Sequence, residues 1–155
     1  MRDIRITIPI IPRAQKRARA AVRGKHAIVY KDAGQLESEK HIISEITPHR
    51  PDVPASGPVE LFVRVWVPIP ASWPAWKREA AMDGIVAPIG KPDLDNYLKE
   101  IKDCMTQASF WNDDSQVVRV SAEKRYSTYP RWEILMQEGG QPKTAKEYRE
   151  YTACG

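Results

Sequence analysis

The sequence predicts a single α/β domain of the α+β type, with a mixed β-sheet of about four to five strands flanked by helices. Several segments alternate apolar and polar residues with period two, as half-buried strands do. Others repeat apolar residues at spacings of three and four, which is typical of helices that face a core. The two kinds of segment do not alternate strictly, so we expect a mixed sheet with helices packed against it. A length of 155 residues fits one domain.

The strand predictions begin with Ile4, Ile6, Ile8 and Ile10, which share one face of an extended segment. The clearest strand, 59–67, alternates Val and Leu with other residues and lies between Pro58 and Pro68, which cannot donate to a ladder. A short segment, 27–30, follows a basic stretch and is expected to close a hairpin with it. The remaining strands are predicted at 118–122 and 132–136.

Three helices are predicted, at 32–46, at 73–82 and from Leu94 to Ala108. The third is the best defined, because Leu94, Leu98, Ile101 and Met105 recur at helical spacing. Asp93 or Asp95 is expected to provide its N-cap. We therefore assign residues 1–138 to the folded domain and 139–155 to a polar C-terminal tail.

The charge of the chain is positive and unevenly distributed, with a formal net charge of +4 and a pI near 9.1. A stretch without acids carries six basic residues that are candidates for DNA binding: Arg13, Lys16, Arg17, Arg19, Arg23 and Lys25. Such a stretch favours polyanions, because cations that neutralise phosphates release counterions. A solvated, solubilising loop is an equally good interpretation of charge alone.

Several classes of protein are disfavoured by the sequence. No apolar run reaches the roughly 20 residues that span a bilayer, and the first residues do not form a secretory signal. Cys104 and Cys154 are far apart, so we expect free thiols in a reducing compartment and a cytoplasmic protein. The histidines are scattered without zinc-ligand spacing, and no phosphate-binding glycine motif is present.

The segment from Lys91 to Val118 contains the residues that carry chemistry. Asp93 and Asp95 lie at the start of the third predicted helix, and Lys99 lies one turn after Asp95. Asp113 and Asp114 lie in a turn after that helix. Clustered carboxylates suit magnesium, which prefers oxygen ligands and completes its shell with water and substrate phosphate. A lysine beside them can stabilise negative charge in a transition state.

Each of these features also has a purely structural interpretation. Asp93 and Asp95 can cap the helix, Lys99 can pair with Asp95, and the two later acids can form an ordinary turn. Their occurrence together in one segment, in a chain with a basic stretch, favours the metal site. Convergence of the two groups of acids in space is an expectation.

The segments KPDLDN, Lys99 and WNDDSQVV resemble the signature of RusA-type endodeoxyribonucleases, which resolve Holliday junctions. The core of the resemblance covers Lys91 to Val118. It implies a homodimer with a mixed α/β fold that cleaves DNA with Mg²⁺, for which Mn²⁺ can substitute. It also implies metal binding by Asp93, Asp95 and Asp114, an essential Lys99, and a secondary role for Asp113.

Two function classes follow. The favoured one is a metal-dependent, structure-selective endodeoxyribonuclease that resolves four-way junctions by paired phosphodiester cleavage in DNA recombination and repair. It would act in the cytoplasm of a bacterium or of a phage-infected host, as a homodimer on branched DNA and away from membranes. The alternative is a non-catalytic protein that binds DNA junctions with the same scaffold.

Overall fold

A computed structural model describes residues 2–14, 19–23, 26–30 and 33–154. The strands are β1 (Arg2–Ile8), β2 (Arg19–Arg23), β3 (His26–Tyr30), β4 (Val59–Pro68), β5 (Val117–Ser127) and β6 (Arg131–Glu138). The helices are α1 (Ala33–Ile46), α2 (Ala75–Met82), α3 (Leu94–Gln107) and α4 (Ala145–Ala153). Short 3₁₀ turns cover Thr47–His49 and Asp114–Gln116.

Four strands form one mixed sheet in the order β1-β6-β4-β5. β4 pairs with β5 in parallel, whereas the other neighbours are antiparallel. β2 and β3 form a separate antiparallel pair. The predicted mixed sheet and hairpin are therefore confirmed. Lys16, Arg17 and Lys25 of the basic stretch lie outside the described residues.

The core lies between one face of this sheet and the helices α1 and α3. Alternate residues of β4, from Val59 to Val67, are buried on that face. α3 contributes Tyr97, Ile101 and Met105, all almost inaccessible to solvent. Ile42 and Ile46 of α1 join the same cluster. The period-two and helical patterns of the sequence thus meet in one continuous core.

The boundaries of some elements differ from the sequence predictions for physical reasons. β1 ends at Ile8 rather than Ile10, because Pro9 has no N–H to continue the ladder. β5 continues to Ser127, because its parallel pairing with β4 extends as far as Pro68 opposite Ser127. The polar tail forms the exposed helix α4, whose first turn is capped by Thr144 accepting from the Glu147 amide at 3.1 Å. None of the helices in the described residues is long and apolar enough to cross a membrane.

Glu138 ties together the end of β6, the start of β1 and the loop before β4. Its carboxylate accepts hydrogen bonds from the Arg2 guanidinium and from the backbone amides of Ser56, at 3.0 Å, and Gly57, at 3.4 Å. A Cβ at Gly57 would lie 2.5 Å from the Gly139 carbonyl oxygen, so only glycine fits there. Burial favours the protonated acid, but these hydrogen bonds outweigh it and hold the pKa of Glu138 below its usual range.

Replacing Glu138 with glutamine should therefore make stability less dependent on pH in the acid range. Because the folded-state pKa is lowered, the carboxylate stabilises the fold above its unfolded pKa, and this contribution disappears as the pH falls through the folded pKa. Urea unfolding at pH 7 and at pH 3.5 should show a smaller acid-induced loss for Glu138→Gln than for the parent protein. Glu37→Gln, at an exposed position of α1, is the control and should behave like the parent. Equal acid sensitivity of the parent and Glu138→Gln would contradict this role.

Candidate active site

Asp93 occupies the N-cap position of α3 but does not cap the helix with its side chain. Its backbone is extended, with φ −67° and ψ 148°, and no capping hydrogen bond is formed. The carboxylate instead contacts Lys91 Nζ, at 3.1 Å for Oδ1 and 3.2 Å for Oδ2. An exposed pair of this kind contributes about 0–1 kcal/mol, so it can be exchanged for another ligand. The capping interpretation is therefore wrong for the Asp93 side chain.

Asp95 lies in the first turn of α3 and is exposed. Negative charge is favourable there because the first amides of a helix carry partial positive charge. Asp93 and Asp95 are thus two exposed carboxylates at one helix end. This arrangement supplies oxygen donors of the type that a hard divalent cation takes.

Lys99 is one turn further along α3, and its side chain is 65% exposed. Its Nζ lies 3.4 Å from Asp103 Oδ2, so its ion pair is with the acid after it rather than with Asp95. Such i,i+4 pairs on a helix contribute about 0.3–0.5 kcal/mol. The ammonium group can therefore leave Asp103 for a phosphate at little cost.

Lys124 of β5 holds the segment that leads into these acids. Its Nζ donates to the Gly90 carbonyl oxygen at 2.7 Å and to the Pro92 carbonyl oxygen at 2.9 Å. The second acceptor belongs to the residue immediately before Asp93. The N-terminal end of α3 is consequently fixed beside the later part of β5. Lys124 was not predicted from the sequence, although a lysine between Ala122 and Tyr126, on the helix-facing side of β5, is an unusual residue for such a position.

The turn with Asp113 and Asp114 is held by a network around Gln116. Asp113 Oδ1 accepts from the Ser115 amide at 2.8 Å, and Gln116 Oε1 accepts from the Asn112 and Asp113 amides, both at 2.9 Å. The Gln116 amide donates to the carbonyl oxygens of Ala55 and Gly57. Hydrogen bonds with Ser115 lower the pKa of Asp113, which acts as a cap.

Asp114 is exposed at the start of this turn, which follows α3, whereas Asp93 and Asp95 lie at the start of α3. α3 has 14 residues and so separates the acids at its start from its other end by about 20 Å. Lys124, which contacts the segment before Asp93, lies about 23 Å along β5 from Val117. Val117 follows closely after Asp114 in the chain, so Asp114 and Lys124 lie towards opposite ends of β5. In the described residues, no three His, Cys, Asp or Glu side chains are grouped to hold a metal ion.

The structure therefore brings together Asp93, Asp95 and Lys99 at one end of α3 and places Asp113 and Asp114 at the other. Assignment of Asp93, Asp95 and Asp114 to one metal site stays a prediction.

Of the basic candidates, Arg13 is exposed, while Arg19 and Arg23 lie on β2. As expected, neither cysteine is in a disulfide; Cys104 is buried and Cys154 is exposed.

The sequence of this chain is similar to those of known proteins. The sequence model of the family described as Endodeoxyribonuclease RusA matches residues 9–137. The uncharacterized protein YqaN of Bacillus subtilis (strain 168) is 34% identical over 137 residues, which cover 87% of this chain and 96% of YqaN. The crossover junction endodeoxyribonuclease rusA of Lactococcus phage r1t is 42% identical over 48 residues, which cover 31% of this chain and 37% of the phage protein.

Replacing Lys124 with methionine should loosen the segment from Gly90 to Asp95 without unfolding the domain. The methionine keeps the apolar stem but cannot donate to the Gly90 and Pro92 carbonyls. Hydrogen–deuterium exchange should therefore rise locally at the N-terminal end of α3, while amides of β4 keep their protection. Lys102→Met, on α3, is the control and should leave this segment unchanged. Unaltered exchange in Lys124→Met would show that the two hydrogen bonds do not position Asp93.

Proposed function

Because the chain belongs to the RusA family of endodeoxyribonucleases, we propose that it resolves Holliday junctions by paired phosphodiester cleavage in DNA recombination and repair. The cleavage is structure-selective and depends on Mg²⁺, for which Mn²⁺ can substitute. The observation that carries the proposal is the cluster at the start of α3, where two exposed carboxylates stand one turn from an exposed lysine. A protein that only binds junctions needs no such cluster.

The donor set fits a hard cation. Asp93 and Asp95 offer carboxylate oxygens, neither side chain is used to cap α3, and both are accessible to a substrate phosphate. Asp114 is the third proposed ligand, and Asp113 supports it by holding the turn. When bound, the metal supplies Lewis-acid stabilisation of charge on the scissile phosphate and favours ionised water.

The lysines around the acids have separate roles in this proposal. Lys99 extends from the same face of α3 as Asp95 and stabilises the additional negative charge of the pentavalent transition state. Lys91 offsets the charge of Asp93 and is exposed enough to turn towards a DNA phosphate. Lys124 acts through the backbone, since it fixes the carbonyls of Gly90 and Pro92. Lys124 is thus a positioning residue.

A site that uses all three aspartates requires two chains. Asp93 and Asp114 of one chain are separated by about the length of α3, roughly 20 Å. Ligands of one metal ion must lie within a few ångströms of each other, since Mg²⁺–oxygen distances are about 2.1 Å. We therefore propose a homodimer in which Asp93 and Asp95 of one protomer meet Asp114 of its partner.

Strand β5 offers an arrangement that produces such a meeting. Among the described strands, β5 is hydrogen-bonded only to β4, so its other edge is available for pairing. Val118 and Val120 of β5 are 67% and 40% exposed. An exposed edge is a template for pairing with another chain. Antiparallel pairing of two β5 strands about a two-fold axis would place the start of each beside the later part of the other. Asp114 of each protomer would then approach the start of α3 in its partner.

A two-fold homodimer also suits the proposed substrate. A four-way junction must be cut in two matched strands, and an isologous dimer presents two equivalent sites. The basic stretch is proposed to contact the DNA arms through phosphates, which position a protein without reading sequence. Within this stretch, the structure describes the backbone of Arg13, Arg19 and Arg23. The proposed setting is the cytoplasm, without membrane attachment.

Asp93→Asn, Asp95→Asn and Asp114→Asn should each reduce cleavage of a synthetic four-way junction on the order of 100-fold or more. Junction affinity should change little, because phosphate contacts elsewhere supply most of it. Gel assays of cleavage in Mg²⁺ and of binding in EDTA measure the two effects separately. Asp52→Asn, at an exposed acid outside α3 and its flanking turns, is the control. Cleavage at the parental rate in any of the three variants would remove that residue from the site.

Mixing the Asp93→Asn and Asp114→Asn chains should restore cleavage that neither variant has alone. In a mixed dimer, one site contains both substitutions and the other contains none. Differently tagged chains, co-expressed and purified as the mixed dimer, should nick a plasmid that extrudes a cruciform, with mainly nicked circles as product.

The same experiment distinguishes shared sites from sites within one chain. If all three acids came from one protomer, each site of the mixed dimer would carry one substitution and no product would form. The matched control is the mixed dimer of Asp93→Asn with Asp95→Asn chains. These acids lie on the same helix end, so one unsubstituted site cannot be assembled. Complementation in that control would contradict the shared-site geometry.

A further inference from the structure

A cavity of about 690 Å³ opens beside the start of α3, between the ends of β4 and β5 and the loop that leads into the helix. Pockets of roughly 300–1,000 Å³ are typical of sites for small organic ligands. Pro92 and Asn96 both line it, and these residues flank Asp93 and Asp95 in the chain. The cavity therefore adjoins the proposed active site without using its acids.

The walls of the cavity are mainly apolar and partly aromatic. Pro12, Pro88 and Val67 provide apolar surface, and Tyr97 and Tyr126 provide rings. The Tyr126 ring is held in place by an edge-to-face contact with Trp73, with centroids 5.2 Å apart. Flat apolar and aromatic surfaces of this kind stack on nucleobases with little dependence on sequence.

The polar groups of the cavity suit a nucleotide. Arg13, Lys91 and Lys124 are on its lining, and no acid is present among the described residues that line it. The positive rim is complementary to a phosphate on either side of a base. The Asn96 side-chain amide has no hydrogen-bond partner in the described part of the chain, and an amide can both donate to and accept from a base edge.

We infer that this cavity receives one unstacked nucleobase of the junction, next to the phosphate that is cut, and that Asn96 reads its edge. The inference rests on the proposed function, because the occupant belongs to the DNA that the acids would cleave. In the open form of a four-way junction, a base at the branch point lacks a stacking neighbour on one side, so extruding it costs less than extruding a base within a duplex arm. A pocket for one base beside the acids would give cleavage a local sequence preference.

An abasic scan tests the inference by binding alone. Four-way junctions, each with abasic residues at one symmetric pair of positions near the exchange point, are titrated with the parent protein in EDTA. At one position, loss of the base should raise the Kd about 10-fold, as expected from stacking on aromatic side chains. Tyr126→Leu should bind the intact junction about 10-fold more weakly and give a flat scan. Tyr148→Leu, at an exposed position of α4, is the control and should keep the parental profile.

Asn96→Ala provides a second variant that does not disturb an aromatic contact. With each of the four bases at the sensitive position, the parent should discriminate among them in Kd, whereas Asn96→Ala should keep the abasic effect but lose the discrimination. If the parent binds tightly but its abasic scan is flat, the cavity does not receive a base of the junction. That result would leave the proposed nuclease function unaffected. Absence of junction binding by the parent would overturn the proposed function and this inference together.

Discussion

The opposed directions of α3 and β5 determine where the acids can act. α3 begins beside the later part of β5, where Lys124 binds the carbonyls of Gly90 and Pro92, and it ends near the turn that starts β5. The helix packs into the core through Tyr97, Ile101 and Met105. Close packing of these buried side chains holds α3 in a defined position relative to β5. The distance from Asp93 to Asp114 is therefore a fixed property of the chain.

The packing also explains why the carboxylates at the helix start are available for chemistry. A capping aspartate would have its oxygens engaged by backbone amides, as Asp113 does with Ser115. The Asp93 carboxylate makes no such bond, since the Asn96 and Tyr97 amides donate to the Asp93 backbone carbonyl oxygen, and the carboxylate contacts Lys91 instead. Asp93 and Asp113, at opposite ends of α3, thus differ in role, because the helix start is held by Lys124 while the later turn is held by its own cap.

The local elements were predictable from the sequence because their signals are periodic. The alternation in β4 and the spacing of Ile101 and Met105 in α3 each indicate a buried face directly. The order of the strands was not predictable, since β1 pairs with β6 across more than 120 residues and periodicity carries no information about partners. The same holds for Lys124, whose acceptors lie 32 and 34 residues earlier in the chain. Asp93, Asp95 and Lys99 were predicted together because one helical turn connects them. Their relation to Asp114 depends on the whole fold.

Cleavage of four-way junctions with a divalent metal can be measured in one assay of the protein. A synthetic four-way junction, labelled on each strand in turn, is incubated with the protein in Mg²⁺, in Ca²⁺ and in EDTA. We expect paired, symmetric cuts near the exchange point in Mg²⁺ and no cutting in EDTA. In Ca²⁺ we expect binding with little cutting, because Ca²⁺ is a larger ion and a weaker Lewis acid than Mg²⁺. Equal cleavage in EDTA, or intact strands in Mg²⁺ under conditions where the junction is bound, would contradict the proposed function.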